Sequence, residues 1–352
     1  MSSSARKWIG LWLIAGCVMV FAQVIIGGVT RLTGSGLSIT KWDIVVGAIP
    51  PLTESSWTAE FAKYQQTPQY QQINQDMTLS EFKFIYFWEF FHRNNARLMG
   101  VIFFAGLIFF IIKGWINKDL ALRLAFVLVW GILIATLGWI MVASGLIDKP
   151  YVSPVKLSMH LTTALVILAN LVWLTLYVLR DRKQYGVYAP RQKRIALAVM
   201  ILLFIQLFLG GIVSGSKAGL AYPTWPDMNG QWIPSALTSL PVRWDGILYY
   251  DAGAHWEQTF IQFAHRFTAY VLVIVIIWFF FQLRGLSAER VFSTGVRLFP
   301  LAVLLQASIG IITVLHCVGH VPVFWGVLHQ AGAMLLLANT TFIYYHLQAS
   351  KA

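Results

Sequence analysis

Residues 27–37 read Gly27-Gly28-Val29-Thr30-Arg31-Leu32-Thr33-Gly34-Ser35-Gly36-Leu37 and run on to Trp42; residues 210–220 read Gly210-Gly211-Ile212-Val213-Ser214-Gly215-Ser216-Lys217-Ala218-Gly219-Leu220 and run on to Trp225. Gly27, Gly28, Gly36, Leu37 and Trp42 all recur at one constant offset of 183 residues. A gapless match of this kind marks an internal repeat. Each copy closes an apolar run, at about 8–29 and 195–213. Both runs are long enough to cross a bilayer, which takes about 20 apolar residues at about 1.5 Å of rise each. Six more such runs lie at about 84–112, 122–143, 155–178, 257–283, 298–315 and 322–347. The expectation is an all-α integral membrane protein of eight transmembrane helices, arranged as two tandem four-helix bundles, residues 1–190 and 191–352. Four is an even number, so both bundles enter the membrane from the same face. A pseudo-two-fold axis along the membrane normal then relates them.

Composition agrees. The 352 residues are 58% hydrophobic and only 11% charged, against about a quarter charged in soluble domains, and mean hydropathy is +0.67. A soluble enzyme, a disordered tail and a collagen-like rod are excluded. Two cysteines, Cys17 and Cys317, make no disulfide framework. The net charge of +12 raises nucleic acid as a partner, until the basic residues are placed on the helix map. With a cytoplasmic N-terminus, 15 Lys and Arg fall in short segments on that side, among them Arg6, Lys118, Arg182, Lys193, Arg290 and Lys351. Eight, including Arg31, Lys217 and Arg243, are spread over longer loops opposite. The positive-inside rule puts both termini in the cytoplasm, and the charge excess belongs to topology and not to nucleic acid. Two long outer loops remain, about 30–83 and 214–256; the Gln-rich stretch 64–75 reads as a polar surface loop or a short amphipathic helix on the membrane. The first apolar run exceeds the short core of a signal peptide, and no transit peptide fits ahead of Trp8.

Four of the eight histidines fall inside spans. His92, His160, His265 and His329 each lie within the outer third of an even-numbered helix, two per repeat, at one expected depth. A single membrane histidine often does no more than hydrogen-bond a neighbouring helix; four at one level point to ligation. Imidazoles on facing helices are good axial ligands for heme iron. Pairs of histidine without Cys, Asp or Glu to complete a set of four are poor for zinc. No Cys-x-x-Cys-His occurs, so covalent heme attachment is excluded. Arg93 and Arg266 directly follow His92 and His265 and suit heme propionates; the alternative is snorkelling to headgroups. His316 and His320 read as surface residues, His255 and His346 as structural ones. The Gln-x-x-x-Gly echoes at Gln23/Gly27, Gln206/Gly210 and Gln306/Gly310 read as small residues allowing close helix approach.

The halves differ at one position. Glu89 precedes His92 by three residues, on the same helix face, where the second half has Gln262 before His265. Arg97 is likewise confined to the first half, opposite Tyr270. A carboxylate within a membrane is costly and marks function by default. The alternative is an ion pair with Arg93 or Arg97. The asymmetry suggests a chemical site in the first half and an electron-transfer or structural heme in the second.

These motifs resemble the heme A synthase family. The matching stretches are Gly28–Ser38, Glu81–Ile85 leading to Glu89-x-x-His92-Arg93, Ser144-Gly145-Leu146 leading to His160, Ala218–Tyr222 leading to Thr224-Trp225-Pro226, Gly230–Pro234, His265-Arg266 and Leu328–Gly332. The resemblance implies oxidation of the C8 methyl of heme O to a formyl group, giving heme A by successive hydroxylations. It further implies that His265 and His329 ligate a resident heme b, with Arg266 beside it. His92 and His160 would flank the substrate heme O, with Arg93 and Arg97, and Glu89 would assist oxidation at the methyl carbon. The outer-loop cysteine pair of one subgroup is missing. That implies the subgroup of mitochondria and many Gram-negative bacteria, and a bacterial inner membrane, with the heme sites toward its outer side. Heme O synthase, cytochrome oxidase assembly factors and an unidentified electron donor are the implied partners besides lipid. A quinol-linked diheme b-type cytochrome would need the four histidines but not Glu89. A transporter would use the repeat without iron.

Overall fold

The computed structural model describes residues 1–41, 46–147, 149–180, 182–242, 256–286 and 289–348. Trp42, Arg243, His255 and Lys351, named above, lie outside the described residues. Among the described residues, eight helices are long and apolar enough to span a membrane. They are α1 (Ser3–Leu32), α2 (Leu79–Ile112), α3 (Lys118–Ala143), α4 (Pro154–Leu179), α5 (Pro190–Gly215), α6 (Trp256–Leu283), α7 (Arg290–Leu315) and α8 (Val323–His346). All eight expected runs are there, several of them longer than their apolar stretch. α2 starts at Leu79 because Thr78 and Glu81 form a capping box, Glu81 Oε2 accepting from the Thr78 N–H at 2.8 Å. Such polar first turns extend a helix without adding to its hydropathy. Pro154 and Pro190 open α4 and α5, where a missing N–H costs nothing.

The two halves pack against each other through four inner helices. α1 packs on α2, α4 and α8; α4 packs on α3, α5 and α8; α5 and α8 pack on each other and on α6 and α7 respectively. The inner helices α1, α4, α5 and α8 therefore come from both halves, while α2, α3, α6 and α7 lie outside them. Leu13, Leu165, Leu203 and Leu337 are buried in that inner group. The outer helices turn apolar side chains outward: Ile112 is 78% exposed, Leu122 63% and Ile274 67%. In water that surface is unfavourable at roughly 25 cal/mol per Å²; against lipid the cost vanishes, and helices satisfy their own backbone groups there.

The Gly-Gly pairs show how the halves meet. A methyl group on Gly28 would stand 3.0 Å from Gln330 Oε1 of α8, and one on Gly211 would stand 2.6 Å from Ser158 Oγ of α4. The second glycine of each repeat thus admits a helix of the opposite half, the close approach small residues allow in membranes.

At the end carrying both termini, two-residue strands at 187–188 and 347–348 pair in parallel and join the inter-half connection to the chain's end. Arg180 Nε donates to His346 Nε2 at 3.0 Å and its guanidinium pairs with Glu289. His346 is fully buried there, in the structural place expected for it. The opposite end carries the long loops. Its Gln-rich stretch carries a short helix that exposes Gln71 and Gln72 and buries Gln69. Helices Glu54–Tyr64 and Pro68–Ile73 fold back so that Tyr64 joins Phe82, Ile85 and Tyr86 in a buried cluster. Gln69 is also buried, its Nε2 donating to Gly34 O at 2.9 Å. Aromatic neighbours, invisible to a reading of local polarity, pull this segment inward.

Candidate functional site

A cavity of about 1300 Å³ runs through the helix bundle and receives residues from all eight spans. It is larger than the ~300–1,000 Å³ of most small-molecule pockets. His92, His160, His265 and His329 all line it, as do Glu89, Arg93, Arg97 and Arg266. Every site residue read from the sequence therefore meets in one space.

The first glycine of each Gly-Gly pair faces a histidine of its own half. A methyl on Gly27 would stand 3.0 Å from His92 Nε2, and one on Gly210 would stand 3.1 Å from His265 Cε1. Gly310 of α7 repeats the arrangement, with 2.7 Å to His329 Cε1. The Gln-x-x-x-Gly echoes are thus more than sites of close approach, because in each the glycine seats an imidazole. The glutamines, one turn earlier, reach the same histidines. Gln206 Nε2 lies 3.4 Å from His265 Nε2, Gln306 Nε2 lies 3.0 Å from His329 Nδ1, and Gln23 Nε2 donates to His92 O at 3.0 Å. His160 is held otherwise, its Nδ1 lying 3.1 Å from Ile134 O.

His265 and His329 face one another with ring centroids 6.5 Å apart and planes at 84°. Two imidazoles each placing a nitrogen about 2 Å from one shared metal have centroids roughly 6 Å apart. His265 Nδ1 is buried with no hydrogen-bond partner. A buried polar atom in that condition is costly and signals a ligand or an ion. Among the described residues no group of three or more His, Cys, Asp or Glu side chains is placed to hold a metal ion. Two opposed imidazoles over a broad apolar cavity suit axial ligation of a porphyrin iron.

Glu89 and the two arginines carry the loops as well as the cavity wall. Glu89 is 3% exposed. Its Oε2 accepts from Ser38 Oγ and from the Ile39 N–H, both at 2.7 Å, and its Oε1 accepts from Arg93 Nη2 at 2.6 Å. Arg93 also donates to Ile39 O at 3.0 Å and Lys41 O at 2.8 Å. In the second half Gln262 Nε2 and Arg266 Nη2 donate to Tyr222 O at 2.9 and 2.7 Å. Ile39 and Tyr222 are themselves related by the repeat offset of 183. Both halves therefore clamp the same loop position. The carboxylate accepts an N–H where the amide donates to a carbonyl, so the Glu/Gln difference is also a difference of hydrogen-bond polarity. Of the two expected ion-pair partners it is Arg93 that meets Glu89; Arg97 Nη1 instead donates to Asn94 Oδ1 at 2.7 Å.

Two cations counted only toward topology also line the cavity. Arg31 Nη2 donates to Ser214 O at 2.6 Å, capping α5 across the half boundary. Lys217 has φ of 51°, an uncommon left-handed conformation for a side-chain-bearing residue. Its Nζ sits 4.2 Å from the Tyr151 ring centroid. Burial, with the Arg31 charge nearby, pulls its ammonium down to about 8. Nothing in a local reading separates these two from other loop cations. His316 and His320 are exposed, as expected of surface residues. Cys17 and Cys317 are both free, and burial pushes the Cys317 thiol up to about 11.

Fold and cavity together define a polytopic membrane protein whose helical core gathers four histidines around one cavity, His265 and His329 facing each other. The cytochrome oxidase assembly protein family matches residues 10–341, and the chain belongs to it. Relatives named Heme A synthase are similar throughout. That of Nitrosomonas eutropha is 38% identical over 95% of this chain and 92% of its own. That of Flavobacterium psychrophilum is 39% identical over 96% and 97%. That of Methylobacterium radiotolerans is 43% identical over 94% and 87%.

Proposed function

We propose that this protein is a heme A synthase, an oxidoreductase that converts the C8 methyl of heme O to the formyl group of heme A. The observation that carries the reading is four histidines lining one cavity with a carboxylate, Glu89, on its wall in the first half where the second half has Gln262. His92 and His160 flank the substrate heme O in residues 1–190, with Arg93 and Arg97 toward its carboxylates. His265 and His329 hold a heme b in residues 191–352, with Arg266 beside it. The two units are related by an axis along the membrane normal. The resident heme, when bound, supplies one-electron chemistry.

The chain's own residues position and exclude. Glu89 stands one turn from His92, and its three donors fix the carboxylate at the cavity wall. In that place it stabilises positive charge developing at the methyl carbon or accepts its proton. The apolar helix walls keep bulk water from the reacting carbon. The protein works in a bacterial inner membrane with both termini cytoplasmic and the heme sites toward the outer face. Heme O synthase is the expected source of substrate and oxidase assembly factors the recipients of product.

Porphyrins extracted from the purified protein test the reading. Heme B accompanied by heme O or heme A is expected, and Glu89→Gln should keep the hemes and stop heme A formation. Heme B alone, with no conversion of added heme O, would instead establish a diheme electron-transfer cytochrome. An E89Q protein that still makes heme A would remove Glu89 from the chemistry.

A further inference from the structure

The four histidines are not supported alike, and the difference follows the halves. In the second half a glutamine amide from the neighbouring helix lies against each imidazole ring: Gln206 of α5 at His265 and Gln306 of α7 at His329. Gln306 Nε2 also donates to His329 O at 2.8 Å, so one side chain holds both ring and backbone of that residue. Gly332, one turn beyond His329, leaves space for Gln306 Oε1, which a methyl group there would strike. In the first half the equivalent Gln23 makes no hydrogen bond to a ring among the described residues. Its Nε2 binds the His92 carbonyl, and its Oε1 accepts from Asn95 Nδ2 at 2.8 Å. Among the described residues, the hydrogen-bond partner of the His160 ring is the backbone oxygen of Ile134.

Gln206 Oε1 and Gln306 Oε1 are buried acceptors without a hydrogen-bond partner. An imidazole that gives one nitrogen's lone pair to a metal carries its proton on the other, and that N–H wants an acceptor. A half-turn of the Gln206 amide exchanges its oxygen and nitrogen and brings the acceptor the His265 ring requires, while Gln306, its Nε2 committed to His329 O, fixes that histidine through its backbone as well as its ring. We propose that Gln206 and Gln306 are positioning residues for the second histidine pair, and that their absence from the rings of the first pair makes the first site the exchangeable one. This rests on the assignment of His265 and His329 as heme ligands. A substrate that must enter and a product that must leave need loosely oriented ligands. A resident group needs rings whose rotation is fixed. Loss of such an outer partner typically weakens a metal site roughly 10- to 100-fold.

The test uses the full-length protein with its bound heme and apomyoglobin as heme acceptor. Gln206→Leu and Gln306→Leu should each release the resident heme roughly 10- to 100-fold faster than the parent, while Gln23→Leu leaves that rate unchanged. Gln206→Glu keeps an acceptor and should restore slow release. It should also lower the midpoint potential, by about 59 mV for each tenfold bias toward the ferric form. Parent-like release from both leucine variants, or faster release from Gln23→Leu, overturns the proposal. If a leucine variant does not assemble, the potential of Q206E decides alone, and an unchanged value overturns it. His329→Ala runs beside these. If it keeps the resident heme and its spectrum, the ligand assignment has failed, whatever the glutamine variants do.

Discussion

Replacing Gly310 with alanine should separate folding from heme binding. The added methyl would stand 2.7 Å from His329 Cε1, whereas carbon atoms rest about 3.5–4.0 Å apart. The ring must therefore give way by close to 1 Å. Metal–ligand distances tolerate only about 0.2 Å, so the required shift is several times what a ligating nitrogen can absorb. The helix itself suffers little, since overpacking costs about 1–3 kcal/mol while exchanging glycine for alanine in a helix interior returns about 1 kcal/mol. The expected variant is folded and membrane-inserted but depleted of its resident heme. Gly210→Ala, with 3.1 Å to His265 Cε1, should show a milder loss. Gly131→Ala, where a methyl meets nothing within 4 Å, should show none. The assay is the heme-to-protein ratio of the purified proteins from visible absorption, with size-exclusion chromatography reporting assembly. A Gly310→Ala protein carrying parental heme with a parental spectrum would refute the argument that this glycine exists to seat His329.

The clamp on the first loop and the Lys217 ammonium yield two further expectations. Glu89→Ala leaves Arg93 and the Ile39 N–H without their carboxylate and should cost about 3–5 kcal/mol, as breaking a buried pair does. Glu89→Gln, the residue the second half itself carries at Gln262, should cost visibly less; equal melting temperatures for the two variants would contradict the clamp. Lys217 has its folded value lowered to about 8 from the usual 10.5, so its protonated form opposes the folded state at neutral pH. That penalty is fully present below pH 8 and fades as pH rises toward 10.5. Lys217→Met should therefore melt higher than the parent at pH 7, with the gap closing by pH 10. A gap that stays constant across that range would show that burial does not burden this lysine.

Much of the site could be read from the chain before any coordinates. The histidines announced themselves because a polar side chain is rare in a span, and Glu89 because it is rarer still. The Glu89/Gln262 asymmetry was visible as soon as the repeat was aligned. What it does to the loop was not, because the hydrogen-bond partner of Ile39 or Tyr222 lies dozens of residues away. The burial of Tyr64 and Gln69 escaped for a related reason. Their segment is locally polar, and only the aromatic side chains of α2 draw it down.

The medium, the number of spans, the repeat and the residue types available for ligation are all legible in the chain alone. Each of these is a local quantity, set by the length of an apolar run, the recurrence of a motif or the rarity of a charge in lipid. Only the tertiary structure decided which glycine serves which neighbour, which glutamine meets an imidazole ring, and that the inner helices come from both halves. In a soluble protein an amphipathic stripe would have pointed each helix toward its partners. Here the lipid-facing and inward-facing surfaces are both apolar, so the sequence carries little record of helix rotation. Gly27 and Gly28 look alike in the chain. One turns to His92 and the other to Gln330 only because the packed helices present those side chains on opposite sides of α1.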